Sequence, residues 1–143
     1  MLRRCMVIIT LNGCVCAACW SFSLPSLAQQ DGEFVETGGS DGGHYRLSYR
    51  SHLIPIEINQ IHSWVIRIES QLGHPIDGAS VTVSGGMPAH SHGLPTRPQV
   101  TPGSQAGEYL IEGLRFHMAG QWVINVVIKA AGVRDSVTIP LQL

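Results

Sequence analysis

Beyond residue 28 the chain has no cysteine, because all four (Cys5, Cys14, Cys16 and Cys19) precede that point. The later part can form neither a disulfide nor a thiolate site, and a blue-copper electron carrier, which needs a cysteine ligand, is excluded. Methionine is nearly as scarce. With Met1 and Met6 set aside, only Met87 and Met118 remain, and both lie in histidine-bearing segments. Methionine ordinarily fills gaps in cores, so this placement is the most informative feature of the composition. Charge is sparse too. Residues 29–143 carry seven basic and ten acidic side chains, with no basic stripe of the kind a phosphate backbone requires. Nucleic acid is not an expected partner. No carboxylate pair lies near the histidines of residues 85–93 and 116–118, so an enzyme is not expected.

What is present begins with an export signal. Arg3 and Arg4 lead a charge-free apolar run from Cys5 to Phe22, and Ser26-Leu27-Ala28 supplies a small-x-small cleavage site. Cleavage after Ala28 and release to the periplasm or medium is the expectation. Retention as a membrane anchor, or a lipid on Cys14 or Cys19, is the alternative. Residues 29–44, rich in glycine and acidic groups, read as a mobile leader. Residues 45–143 then have the size of one domain with one core.

That domain reads as all-β. Trp64, Ile66 and Ile68 alternate with Arg67 and Glu69, and Trp122, Ile124, Val126 and Ile128 alternate in the same way. This is the period of half-buried strands. Further strands are expected at Tyr45–Arg50, Leu53–Ile58, Ala79–Ser84, Glu108–Phe116 and Val133–Leu141. No stretch has a helical period. About seven short strands between turns imply an antiparallel, immunoglobulin-like β-sandwich centred on Trp64 and Trp122. Gly85 to Ala106 shows no period and holds four prolines. A connection of that length is usually functional or disordered.

Within it lies GGMPAHSHG, residues 85–93, which brings Met87, His90 and His92 together; Phe116-His117-Met118 forms a second cluster. Thioether sulfur favours Cu(I) and imidazole suits both copper oxidation states. A Met/His set therefore suits an extracytosolic copper site that has no cysteine. His90 and His92 project to one side if the chain between them is extended. Pro88 biases Met87 toward an extended backbone, and Gly85, Gly86 and Gly93 let the loop bend around an ion. His117 and Met118 are neighbours, so one of them is expected to ligate; parity favours Met118 on a regular strand, and which one ligates is open. His62 shares the inward parity of Trp64. It is an additional candidate ligand, although a core-edge histidine bonded to backbone is the simpler reading. His44, His52 and His74 read as surface residues.

The run from Pro55 to Ile128, with Ile61-His62-Ser63-Trp64, GGMPAHSHGLPTRP and Phe-His-Met-x-Gly-x-Trp, resembles the YtkA-like/FixH-like family of small exported or membrane-anchored bacterial domains. The resemblance implies a β-sandwich of cupredoxin- or immunoglobulin-like form. Through the FixH proteins it also implies a link to copper delivery for haem-copper oxidases. Met87, His90, His92 and Met118 are the positions that match. The chain departs from FixH in carrying a cleavable signal and no lasting membrane helix. The expectation is a periplasmic copper-binding domain, a carrier or copper-tolerance protein, whose partner is a copper-receiving or envelope protein. The competing expectation is a metal-free protein-interaction module of the envelope.

Overall fold

Alternating apolar residues build two antiparallel sheets that face each other across one core. The computed structural model describes residues 32–143; the signal segment 1–28 and its cysteines lie outside them. The strands are β1 (Val35–Gly39), β2 (Tyr45–Ser51), β3 (His62–Ser70), β4 (Ser80–Met87), β5 (His92–Gly93), β6 (Gln99–Pro102), β7 (Glu108–Leu114), β8 (Gln121–Ala130) and β9 (Val133–Gln142), with a 3-10 turn at Pro88–His90. One sheet has the order β1-β2-β3-β7-β6 and the other β5-β4-β8-β9. The expected all-β sandwich is therefore the observed one.

Trp64, Ile66 and Ile68 from β3 meet Trp122, Ile124, Val126 and Ile128 from β8, all fully or nearly fully buried. Phe116 fills the space between the two tryptophans. Its ring centroid is 6.4 Å from Trp64 and 5.1 Å, edge-on, from Trp122, a favourable aromatic geometry. Val81 and Val83 of β4 are only half-buried; they pack against the rim of the core.

Three stretches differ from the sequence expectation. Leu53–Ile58 is not a strand. Ser51 Oγ donates to the Leu53 carbonyl at 2.8 Å and accepts the Leu53 N–H at 3.1 Å, which closes a local turn. Pro55, whose peptide bond is cis, has no N–H to offer a ladder. The leader, by contrast, holds a strand. β1 pairs with β2, Thr37 Oγ1 donates to the Leu47 carbonyl at 2.7 Å, and Phe34 lies under the guanidinium groups of Arg67 and Arg50 at 4.3 and 5.0 Å. The aperiodic region also contains β5 and β6. These are edge strands too short for a period to register.

The leader is tied down a second time at Asp135 on β9. Its carboxylate accepts the Ser40 hydroxyl at 2.5 Å, the Gly42 N–H at 2.8 Å and the His44 N–H at 3.2 Å. Burial acts to raise its pKa, but these bonds and that of the Ser136 N–H outweigh it and hold the carboxyl far below the usual range. Asp41 N–H also bonds the outward carbonyl of Ser136 on the β9 edge. By strand parity Pro140 faces the same way. The longest edge is thus closed by the leader and a residue without an N–H.

Register places one end of β2, β3, β4, β7, β8 and β9 at a common pole. There the 51–62 loop, the 87–93 loop, the 114–121 loop and the C-terminus lie together. Asn59 N–H bonds the Phe116 carbonyl at 2.7 Å, and Gly120 and Leu143 exchange two backbone bonds at 2.7 and 3.0 Å.

Candidate metal centre

The histidine loop is anchored by the pairing of β4 with β5. Met87 stands opposite His92 and Gly86 opposite Gly93. Residues directly opposite one another share a sheet face. Met87 points into the core, so His92 hangs over the open mouth of the sandwich. The glycines expected to bend this loop act through their missing side chains instead, since Gly85, Gly86 and Gly93 do not have positive φ. A Cβ on Gly86 would lie 2.5 Å from the His92 carbonyl oxygen, and one on Gly85 would lie 2.9 Å from the Val123 carbonyl oxygen. They allow close approach rather than a sharp bend.

Met87 is extended as Pro88 requires (φ −104, ψ 103), after which Pro88–His90 forms one 3-10 turn and Ser91 turns back in the left-handed region (φ 53, ψ 26). The chain between His90 and His92 is therefore folded rather than extended. The two imidazoles still lie on one side, with centroids 6.1 Å apart. The next ring in the row comes from the other cluster. His117 is 5.7 Å from His92 and packs edge-on against Trp122 at 5.4 Å. Nδ1 of His117 is buried without a hydrogen-bond partner.

The two methionines part company. Met87 is 2% exposed and belongs to the core, with its methyl beneath Gly120; Met118 is 37% exposed and lies outside any strand. The regular-strand parity for Met118 does not apply, because β8 begins only at Gln121 and Phe116 takes the inward place. Sequence reasoning missed what holds this loop. Trp122 Nε1–H donates to the Met118 carbonyl at 3.0 Å, so a core tryptophan fixes the segment that presents His117 and Met118. The Met-x-x-x-Trp spacing was the available signal.

His62 lies apart from the row. It is buried against Phe116, at 5.6 Å, and Trp64, at 6.4 Å, and its Nδ1 faces the Gln60 carbonyl at 3.2 Å. Burial pushes its pKa below the ordinary value and the Gln60 bond pulls the other way. Its Nδ1 has the backbone partner that the simpler reading expects, while its Nε2, like Nδ1 of His117, is buried without a hydrogen-bond partner. His52 Nδ1 bonds Ser63 Oγ at 2.8 Å, and His44 and His74 are exposed.

Among the described residues no three His, Cys, Asp or Glu side chains stand close enough to hold an ion as they are placed. The His92–His117 spacing of 5.7 Å is nevertheless one that a shared ion allows, and the His90–His92 spacing of 6.1 Å is just beyond it. Two imidazoles sharing an ion at nitrogen–metal distances of about 2.0–2.1 Å have ring centroids roughly 5 to 6 Å apart. His90 and His92 are exposed, and exposed rings turn freely on the nanosecond scale. The unpartnered Nδ1 of His117, a buried polar atom without its usual bond, and the uncharged N/S donor set fit a copper ion.

The YtkA-like family model matches residues 39–127, more than half of the chain, and this span contains both histidine segments. No curated protein matches the chain, and no solved structure does.

Proposed function

Since the chain belongs to the YtkA-like family, we propose that it is an exported copper-binding domain of the cell envelope that carries an ion rather than catalysing a reaction. The observation that supports this reading is the row His90, His92 and His117, drawn from two loops at one pole with centroid spacings of 6.1 and 5.7 Å. His92 and His117 form the pair at the mouth of the sandwich. His90 and the exposed thioether of Met118 complete the set, and Met87 stays in the core. Bound copper would be a soft, exchangeable cargo. The chain's own contribution is to hold one imidazole rigidly through Trp122 and leave the others mobile enough to close on the ion and release it. Loop-borne, exposed donors suit transfer to a copper-receiving protein of the envelope. The thioether of Met118 is a soft donor that favours Cu(I) over Zn(II).

The test is a competition titration with a Cu(I) chelator on the wild type, the His90→Ala/His92→Ala double variant, His117→Ala and Met118→Leu. One copper per chain is expected. The double variant and His117→Ala should weaken binding by at least about tenfold, with Met118→Leu affecting Cu(I) more than Cu(II). Equal affinity in all four proteins would make the loops plain loops, and the metal-free interaction module would take the place of this reading.

A further inference from the structure

The described residues contain two sulfur atoms, those of Met87 and Met118, and the fold gives them opposite access to solvent. Met87 is 2% exposed, and its methyl lies so close beneath Gly120 that a Cβ there would stand 2.9 Å from it. Met118 is 37% exposed in the connection between β7 and β8. The other side chains that two-electron oxidants attack readily are out of reach or missing. Trp64 and Trp122 are buried in the core, and the sequence has no cysteine after Cys19 to intercept an oxidant. A dissolved oxidant therefore meets one soft sulfur on the described surface, and it belongs to the segment that carries His117.

That segment is held by its backbone. The Phe116 carbonyl accepts the Asn59 N–H at 2.7 Å, the Met118 carbonyl accepts Trp122 Nε1–H at 3.0 Å, and Gly120 exchanges two bonds with Leu143. None of these bonds uses the thioether. Chemistry at the sulfur thus changes a donor and leaves in place the loop that presents it. We propose that Met118 is an oxidation site, at which a hydroperoxide converts the thioether to the sulfoxide and so releases Cu(I). The sulfur lone pair attacks the hydroxyl oxygen of the peroxide, a sulfur–oxygen bond forms and the oxygen–oxygen bond breaks. The departing hydroxide or alkoxide takes the proton of the transferred hydroxyl and leaves as water or alcohol. Sulfur gives up two electrons, which the peroxide gains. The product is a polar group that presents oxygen, a harder donor than thioether sulfur. The imidazoles remain, and the group that favours Cu(I) is lost until a methionine sulfoxide reductase restores it. The modification rests on exposure alone, whereas its effect on copper rests on the reading of Met118 as a donor.

The test treats metal-free exported protein with hydrogen peroxide and follows it by peptide mass mapping. Met118 is expected to gain one oxygen at least about tenfold faster than Met87, and in urea the two rates should converge to within about twofold. Oxidised and untreated wild type are then titrated with a Cu(I) chelator beside Met118→Leu, itself treated and untreated. Oxidised wild type should fall to the affinity of Met118→Leu or below it, a loss of about fivefold or more, and peroxide should leave Met118→Leu unchanged. Reductase treatment should restore the wild type. An unchanged near-UV circular dichroism spectrum separates loss of a donor from loss of the fold. Equal rates at the two sulfurs of the folded protein would overturn the proposal, as would full Cu(I) affinity after oxidation. A matching loss in peroxide-treated Met118→Leu would place the lesion on another donor and overturn it too. Untreated wild type that binds no copper would sink the copper reading and the release with it, an outcome the mass map tells apart from a Met118 that does not oxidise.

Discussion

Two methionines, each in a histidine-bearing segment, have opposite fates, and substitutions should separate them. Met87 is packed beneath Gly120 in the core. Met87→Leu should therefore leave Cu(I) affinity within about twofold of wild type. Met87→Ala, by removing buried volume, should cost about 2–5 kcal/mol in denaturant unfolding. Met118→Leu should do the reverse, weakening Cu(I) while leaving stability nearly unchanged. Two titrating groups set the acid limit of the fold. His62 has its pKa lowered mainly by burial, so the unfolded chain takes up a proton first, and stability should fall as pH drops below about 6.5. Asp135 has its pKa held down by hydrogen bonds. Its contribution is present above the ordinary carboxylate value of about 3.9 and is lost as pH falls below it. Urea midpoints measured from pH 7 to 3 check both. His62→Phe should flatten the upper part of the profile, and Asp135→Asn, which brings an amide N–H against donors, should lower stability already at pH 7 by about 1–3 kcal/mol.

At the scale of elements, the site depends on how closely β4 and β5 approach. Gly86→Ala would drive a methyl into the His92 carbonyl, so β5 must move and carry His92 away from His117. The expected result is a copper affinity reduced about tenfold or more, with a stability loss of about 1–3 kcal/mol for the overpacking. Chelator competition and urea unfolding on the same sample check both. The second loop depends on Trp122, whose indole N–H holds the Met118 carbonyl. Short elements of this kind escape a reading by period. β5 has two residues and β6 four, fewer than an alternation needs in order to register. β1 escaped for another reason. Glycine and acidic residues resemble a leader by composition, and what orders the strand is Phe34 against two arginines that lie beyond β1 in sequence.

For the molecule as a whole, the core and the histidine row use different side chains. Trp64, Phe116 and Trp122 are buried in the core between the sheets, and only the edge of Trp122 meets the row, at His117. Chelation should therefore leave the near-UV circular dichroism of the tryptophans intact. Added copper should raise the melting temperature only by mass action on the native state. Collapse of that signal on metal removal would make the site structural instead.

The sequence by itself determined the sandwich. Strand alternation is a local property, and β2, β3, β4, β7, β8 and β9 lie close to where the pattern puts them. It also limited the sulfur donors a metal site could use, because the absence of cysteine after residue 28 leaves only thioether. It placed His62 at the inner end of β3 for the same reason of parity. Only the tertiary structure decided which methionine faces out, that His117 meets His92, and that residues 35–44 are part of the fold. Each of these depends on register or on partners far apart in sequence, as with Ser40 and Asp135, which are 95 residues apart. A pattern of neighbours carries no information about contacts of that range.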